Sequence, residues 1–366
     1  MAAPGGRHFE RREAKLCAVT GGRGFLARHL VAALLSSGEW RVRITDLAPA
    51  ISLDPVEVEG LLGAGLRDGR AVYMPADVCD LVQLTQAFQE VDTIFHTAAA
   101  DYADNNLQLH RKINVVGTNM VIDACNGCKV KRLIYTRSSV VVFDGVHGLF
   151  DVDESMPYPD KFPDAYAQTK AEAEKLVMRV NGINELLTCC IRPGTIFGPG
   201  ENHLIPNLVS FGGMKIVLGD GKNFDDFVYV ENVVHGHISA ERTLSTKKGA
   251  QRIGGKAYFI TNMQPMNMWE FVHMLSEELG YKSRLKIRIP SYLLMLLTCV
   301  ADWCYDKQFS PNGSPLRLLT STTVKYVTLN RTFKCKNAVE DLDYKPVVSL
   351  EEGVKKTAEY YKHFRA

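Results

Sequence analysis

The sequence contains no stretch apolar and long enough to span a membrane. Its longest apolar run, Ile289 to Ala301, falls short of the roughly 20 residues a spanning helix needs. Charge of one sign is also missing. Lys and Arg number 43 against 41 Asp and Glu, and they are scattered rather than striped, which argues against a nucleic-acid partner. Cysteine is sparse, nine in 366 residues. That is too thin for a small disulfide scaffold and fits a reducing compartment. Cys125 and Cys128 form a C-x-x-C, but no second pair completes a zinc site. Cys125-Asn-Gly-Cys128 therefore reads as a helix end, with Gly127 closing it. Met1 to Ala14 has no apolar core, so it is not a secretory signal and is expected to be a disordered arm. Repeats and low-complexity tracts are absent.

With 46% apolar and 23% charged residues, the composition is that of a soluble globular protein. From Leu16 short β-branched runs alternate with helical patterns. Strands are expected at Leu16–Thr20, Arg41–Thr45, Ala71–Met74, Thr93–Thr97, Arg132–Thr136 and Leu187–Ile191. Helices are expected at Phe25–Ser37, Asp80–Gln89, Leu109–Asn126 and Ala165–Asn181. This succession predicts an α/β fold, a Rossmann-type doubly wound parallel sheet with helices on both faces. After Arg192 a loop rich in Pro and Gly leaves the sheet. Strands return at Phe227–Val230 and Ala257–Thr261. Residues 15–192 and 226–262 are thus assigned to a dinucleotide-binding domain, and 193–225 and 263–366 to a smaller C-terminal substrate lobe. The lobe is expected to carry helices at Trp269–Glu278 and Leu350–Phe364. Its most apolar part, Ile289 to Tyr305, is open between a core helix, a lid over a greasy substrate and an interfacial membrane helix.

The first expected strand runs straight into Gly21-Gly22-Arg23-Gly24-Phe25-Leu26-Ala27. Glycines there allow a tight turn and bring the backbone close to a pyrophosphate at the helix N-terminus. A glycine pattern alone is weak. This one has a strand before it, a helix after it, and Asp46 at the end of the second strand, 22 residues beyond Gly24. A carboxylate at that position accepts hydrogen bonds from the ribose hydroxyls of NAD and repels the 2′-phosphate of NADP. Arg23 argues the other way, but Asp46 occupies the ribose position itself, so NAD is the expected cofactor. Asp77, followed by Val78 after the third strand, is placed to meet the adenine amino group.

Tyr166-Ala-Gln-Thr-Lys170 puts a phenol and an ammonium on one face of a helix. A free phenol, with a pKa near 10, is a poor base at neutral pH. Lowering it by ~3 units takes about 4 kcal/mol of phenolate stabilisation. A positive charge ~4 Å away supplies that order of energy, and Lys170 is its expected source, aided by an oxidised nicotinamide ring. The fifth strand ends Tyr135-Thr-Arg-Ser138-Ser139 and offers a hydroxyl at the carboxyl edge of the sheet, where ligands bind. Ser138 there can hydrogen-bond a substrate oxygen while Tyr166 takes or gives its proton.

Over residues 15 to 364 the chain resembles the extended short-chain dehydrogenase/reductases. Within them it resembles the 3β-hydroxysteroid dehydrogenases, in particular the plant-type sterol-4α-carboxylate 3-dehydrogenases (decarboxylating). The carriers are Tyr135-Thr-Arg-Ser-Ser-Val-Val-Val-Phe-Asp-Gly145, Asp153-Glu-Ser-Met-Pro-Tyr158, Thr188-Cys-Cys-Ile-Arg-Pro193 and Tyr258-Phe-Ile-Thr-Asn262. The resemblance implies a catalytic set of Tyr166, Lys170, Ser138 and Asn114. It also implies that Thr97, Ala98 and Ala99 line the nicotinamide side, with Pro193 leading into the substrate lobe. The implied reaction is NAD-dependent oxidation of a 3β-hydroxysteroid, a 4α-carboxysterol losing CO2 at C4, without a metal. A homodimer, peripheral membrane contact and the cytosolic face of the endoplasmic reticulum are implied likewise. Two other readings share these motifs, a nucleotide-sugar epimerase or dehydratase and a non-catalytic dinucleotide-binding scaffold. Arg137 stands where the relatives usually carry serine. On a strand it faces away from Ser138, and little effect on the site is expected.

Overall fold

Seven parallel strands carry everything that follows. They are β1 (Lys15–Thr20), β2 (Trp40–Asp46), β3 (Ala71–Pro75), β4 (Thr93–His96), β5 (Arg132–Thr136), β6 (Leu187–Pro193) and β7 (Lys256–Ile260). They lie in the order β7-β6-β5-β4-β1-β2-β3, and every neighbouring pair is parallel. The computed structural model describes residues 14–362 apart from 103, 204, 207–215, 282–286, 291, 292, 295, 297 and 299–319. The expected N-terminal arm lies outside the described residues except for Ala14, as does most of Ile289 to Tyr305.

Central strands covered on both faces read as continuous apolar runs, which is why the strands were legible. Along β5 the side chains alternate between two cores. Ile134 joins the core beneath α1 (Phe25–Ser36). Leu133 and Tyr135 join the core on the other face. That second face is covered by α2 and α3. Helix α2 is a continuous run built from Leu107–His110, a π-helical stretch Arg111–Val116 and Gly117–Gly127. Helix α3 spans Ala165–Arg179, and Val230–Leu244 forms α4 on the α1 side. The 47–70 connection contains two short helices, Pro55–Glu59 and Leu61–Arg67. Cys125 is buried, and both it and Cys128 are free thiols.

Strand order reverses between β1 and β4, so a crevice opens at the carboxyl ends of these two strands, where ligands of such sheets bind. Away from it lies a four-stranded sheet that the sequence did not announce. Its order is Met266–Asn267, Phe224–Asp225, Arg331–Phe333, Leu149–Val152. One of its strands, Leu149–Val152, comes from inside the portion assigned to the dinucleotide domain. No helix among the described residues is long and apolar enough to cross a membrane.

Candidate active site

The loop after β1 is shaped by the absence of side chains. Gly21 has φ +66°, and a Cβ there would lie 2.6 Å from the Ala98 Cα. A Cβ on Gly22 would lie 2.2 Å from the Ile44 Cγ2. Both approaches are too close for any other residue. Gly24 is the N-cap of α1 and brings no capping side chain, so the first N–H groups of the helix stay available to an anion. The loops after β1 and β4 are tied across the crevice, with Thr97 Oγ1 donating to the Thr20 carbonyl at 2.6 Å.

Asp46 closes the rim. Its carboxylate accepts from the Arg23 N–H at 3.0 Å and from the Leu47 N–H at 2.8 Å. Arg23 itself is exposed. The acid thus stands at the glycine loop, where the backbone N–H of the competing arginine donates to it. Asp77 accepts from the Cys79 N–H. Val78 packs where Gly117 leaves room, since a Cβ on that glycine would come within 3.0 Å of it. Thr97, Ala98 and Ala99 lie partly open along the same edge, as does Phe25. Leu26 and Pro193 are instead buried; Leu26 belongs to the core, and Pro193 is paired beside Ile260. A cradle with no room for Cβ atoms, an uncapped helix start and a carboxylate at the second strand end together fit a dinucleotide of the NAD type.

The other half of the edge is built from buried polar groups. Asp164 caps α3 by accepting from the Ala167 N–H at 2.7 Å, which fixes Tyr166 in the first turn. Ser138, at the end of β5, lies close enough to the Tyr166 phenol to act on it electrostatically. Burial pushes the phenol up to about 12, with Asp164 adding to the rise and Arg137 and Ser138 opposing it. Lys170 is buried one turn further along α3. Its Nζ donates to the Thr136 carbonyl at 2.9 Å and lies 4.6 Å from the centre of the Tyr135 ring. Burial first, and Arg137 second, bring the amine down to about 7.

Asn114 lies in the π-helical stretch of α2 and is buried. Its Oδ1 accepts from the Ala100 N–H at 2.9 Å, and its Nδ2 donates to Thr169 Oγ1 at 3.0 Å. Both ends of the amide are therefore committed to holding the β4 loop against α3. The residue acts on the site through its neighbours. His96 joins the two halves, with Nδ1 2.7 Å from Thr20 Oγ1, Nε2 3.0 Å from Thr118 Oγ1, and its ring stacked on Tyr135. Burial brings its pKa down to about 3, with the Lys170 charge adding to the fall, so the ring is neutral.

Sequence reasoning missed the importance of Arg137. Its guanidinium pairs with Glu174, on the helix carrying Tyr166 and Lys170. Its side chain is fully buried and paired with Glu174, which also accepts from Arg192 Nε at 3.0 Å. The signal was available: Tyr166, Lys170 and Glu174 are spaced four apart on one helix face. The ring of Tyr102, 6.2 Å from that of Tyr166, was missed as well. No group of acids, histidines and cysteines able to hold a metal occurs among the described residues.

A model of the 3-beta hydroxysteroid dehydrogenase/isomerase family matches residues 18–291. The chain is 49% identical over 354 residues to the 3beta-hydroxysteroid-dehydrogenase/decarboxylase isoform 1 of Arabidopsis thaliana. That alignment covers 96% of this chain and 80% of the relative, whereas the chain spans 62% of isoform 2. The sterol-4-alpha-carboxylate 3-dehydrogenase (decarboxylating) of Mus musculus is 34% identical, with 96% and 92% covered. Among solved structures, a double mutant of a dTDP-glucose 4,6-dehydratase from Streptomyces venezuelae with NAD bound aligns at a TM-score of 0.72. It is 20% identical, with 95% and 97% covered, and this likeness speaks for the fold.

Proposed function

The chain belongs to the 3-beta hydroxysteroid dehydrogenase/isomerase family, and from that premise we propose that it oxidises the 3β-hydroxyl of a 4α-carboxysterol with NAD, and that the product loses CO2. The observation that carries this is Tyr166, set in the first turn of α3 by the Asp164 cap with Lys170 buried one turn on, at the sheet edge that also holds the glycine loop and Asp46. The 49% identity to a plant dehydrogenase/decarboxylase supports the substrate class.

Bound NAD supplies the hydride acceptor. Ser138 hydrogen-bonds the C3 oxygen and holds it against Tyr166, whose phenolate oxygen removes the hydroxyl proton. Lys170, anchored to the Thr136 carbonyl, sets an ammonium-bearing side chain near the proton's path that shares its proton with the site near neutrality. Asn114 keeps the β4 loop and α3 in register around the substrate. Oxidation gives a β-keto acid. Its C4–carboxylate bond breaks with the electron pair flowing into the new carbonyl, so CO2 leaves and the enolate is reprotonated at C4. This step asks no further side chain for an electron sink. The same reading includes a homodimer through α2 and α3, which exposed Leu107, Leu109 and Val116 on α2 support. It also includes peripheral work at the cytosolic face of the endoplasmic reticulum, consistent with a substrate that dissolves in bilayers.

The test mixes purified protein, NAD and a 4α-carboxy-3β-hydroxysterol, follows NADH absorbance and counts released CO2. Equal NADH and CO2 are expected, with Tyr166→Phe slowing turnover by about 10³-fold. NADH without CO2 would reduce the reading to a simple hydroxysteroid dehydrogenase. No sterol turnover by protein that binds NAD would overturn it.

A further inference from the structure

Glu174 has two arginines and one charge. Arg137 and Arg192 both pair with it, all three side chains are at most 4% exposed, and Tyr158 OH donates to the same carboxylate at 3.1 Å. One positive charge is left over in the interior. Arg192 is the better satisfied partner, giving Glu174 hydrogen bonds from both Nε and Nη2. Arg137 gives only its Nε, and its Nη1 and Nη2 meet no acceptor among the described residues. A neutral Arg192–Glu174 pair would have been cheaper to bury, because an uncompensated interior charge is costly.

We propose that Arg137 is a positioning residue of the catalytic centre: held beneath α3 by Glu174, it supplies the standing positive charge that stabilises the Tyr166 phenolate before that oxygen takes the substrate's proton. The proposal rests on the oxidative role assigned to Tyr166. Glu174 lies two helical turns from Tyr166, roughly 12 Å along the axis, and Arg137 reaches up from the adjoining strand end next to Ser138. At that range, with an effective dielectric near 20, a unit charge moves a pKa by about one.

The other groups facing the phenol do not duplicate it. Asp164 is an acid and raises its pKa. Tyr326, which donates to Asp164 at 2.7 Å, and Tyr102 are phenols that burial keeps protonated. His110 presents its ring edge-on, 6.1 Å away. Facing Lys170 are Cys190, Glu174, Tyr135 and neutral His96. Lys170 itself is brought down to about 7, so near neutrality it is partly uncharged.

The test is a 13C NMR titration of the full chain with NAD bound and tyrosine labelled at Cζ, with Tyr166→Phe identifying the Tyr166 signal. Arg137→Met should raise the Tyr166 pKa by about one, and Arg137→Lys should return it to within a few tenths of the starting value. Turnover of the Met variant should fall about tenfold below the pKa and rejoin the unsubstituted protein above it. A Met variant that titrates with the unsubstituted protein, even if it melts earlier, reduces Arg137 to a structural residue and overturns the proposal. So does a shift that Lys fails to reverse. The titration uses no sterol, so failure of sterol turnover would count against the proposed substrate and leave this result standing.

Discussion

The two halves of the sheet edge reach order by opposite means. On the β1–β2 side the site is made of missing atoms: Gly21 and Gly22 fit only because they have no Cβ, and the one charge, Asp46, is partly exposed and held by backbone N–H groups. On the β5–β6 side it is made of buried charge: Lys170 and Glu174 on α3, and Arg137 and Arg192 packed against them. The first half should tolerate changes of charge and fail on changes of volume. The second should tolerate volume and fail on charge. A dinucleotide needs a shaped surface for its phosphates, while proton transfer needs a controlled potential, and the division follows from that.

The largest effect that would test this division is Gly21→Ala. One methyl group would meet the Ala98 backbone at 2.6 Å, at a φ of +66° that L residues rarely adopt. Strain of roughly 1–3 kcal/mol, added to a displaced loop, should weaken NAD binding by about 100-fold or more in calorimetry, with the circular dichroism of the fold retained. Near-normal NAD affinity would show that the loop yields and that volume is not what governs this half. A smaller effect is expected from charge on the same side. Asp46→Asn should keep NAD binding within about tenfold while cutting the preference for NAD over NADP by roughly 10- to 100-fold, read as the ratio of kcat/KM values. An unchanged preference would mean that Asp46 does not face the ribose.

How much of this was legible follows the same line. The glycine loop, Asp46, Ser138, Tyr166 and Lys170 could be read because each is local: a strand end, a helix start, a four-residue spacing. The strands could be read because both faces are apolar. The four-stranded outer sheet could not, since its strands are two to four residues long and are held by side chains. Asp226 accepts from the Phe333 N–H at 2.6 Å, a contact 107 residues apart that no local pattern encodes. The π-helical stretch around Asn114 was likewise invisible, because Arg111–Val116 reads as ordinary helix. The Arg137 misjudgement was of another kind. The inference weighed Arg137 only against Ser138 and did not ask which group it pairs with.

His96 is the seam between the halves, and it yields the smallest and most specific prediction. It bonds Thr20 on the glycine side and stacks on Tyr135 on the catalytic side. Its folded pKa, about 3, is below the unfolded value near 6.5. Above ~6.5 both states are neutral and the group contributes no pH dependence. As pH falls from there toward 3, the unfolded chain takes up a proton that the folded ring refuses, so stability drops by about 1.4 kcal/mol per pH unit. His237 on α4, brought down to about 4 by burial, adds a similar slope over a narrower window. Glu174, held down to about 2 by Arg137 and Arg192 against the upward push of burial, contributes only once pH falls below the ordinary carboxylate range. Urea unfolding midpoints between about pH 6 and 5 should therefore fall less steeply for His96→Gln than for the unsubstituted protein, by roughly 1.4 kcal/mol per pH unit. Equal slopes would mean that the ring takes up a proton in place, and that the seam between the two halves is open to water.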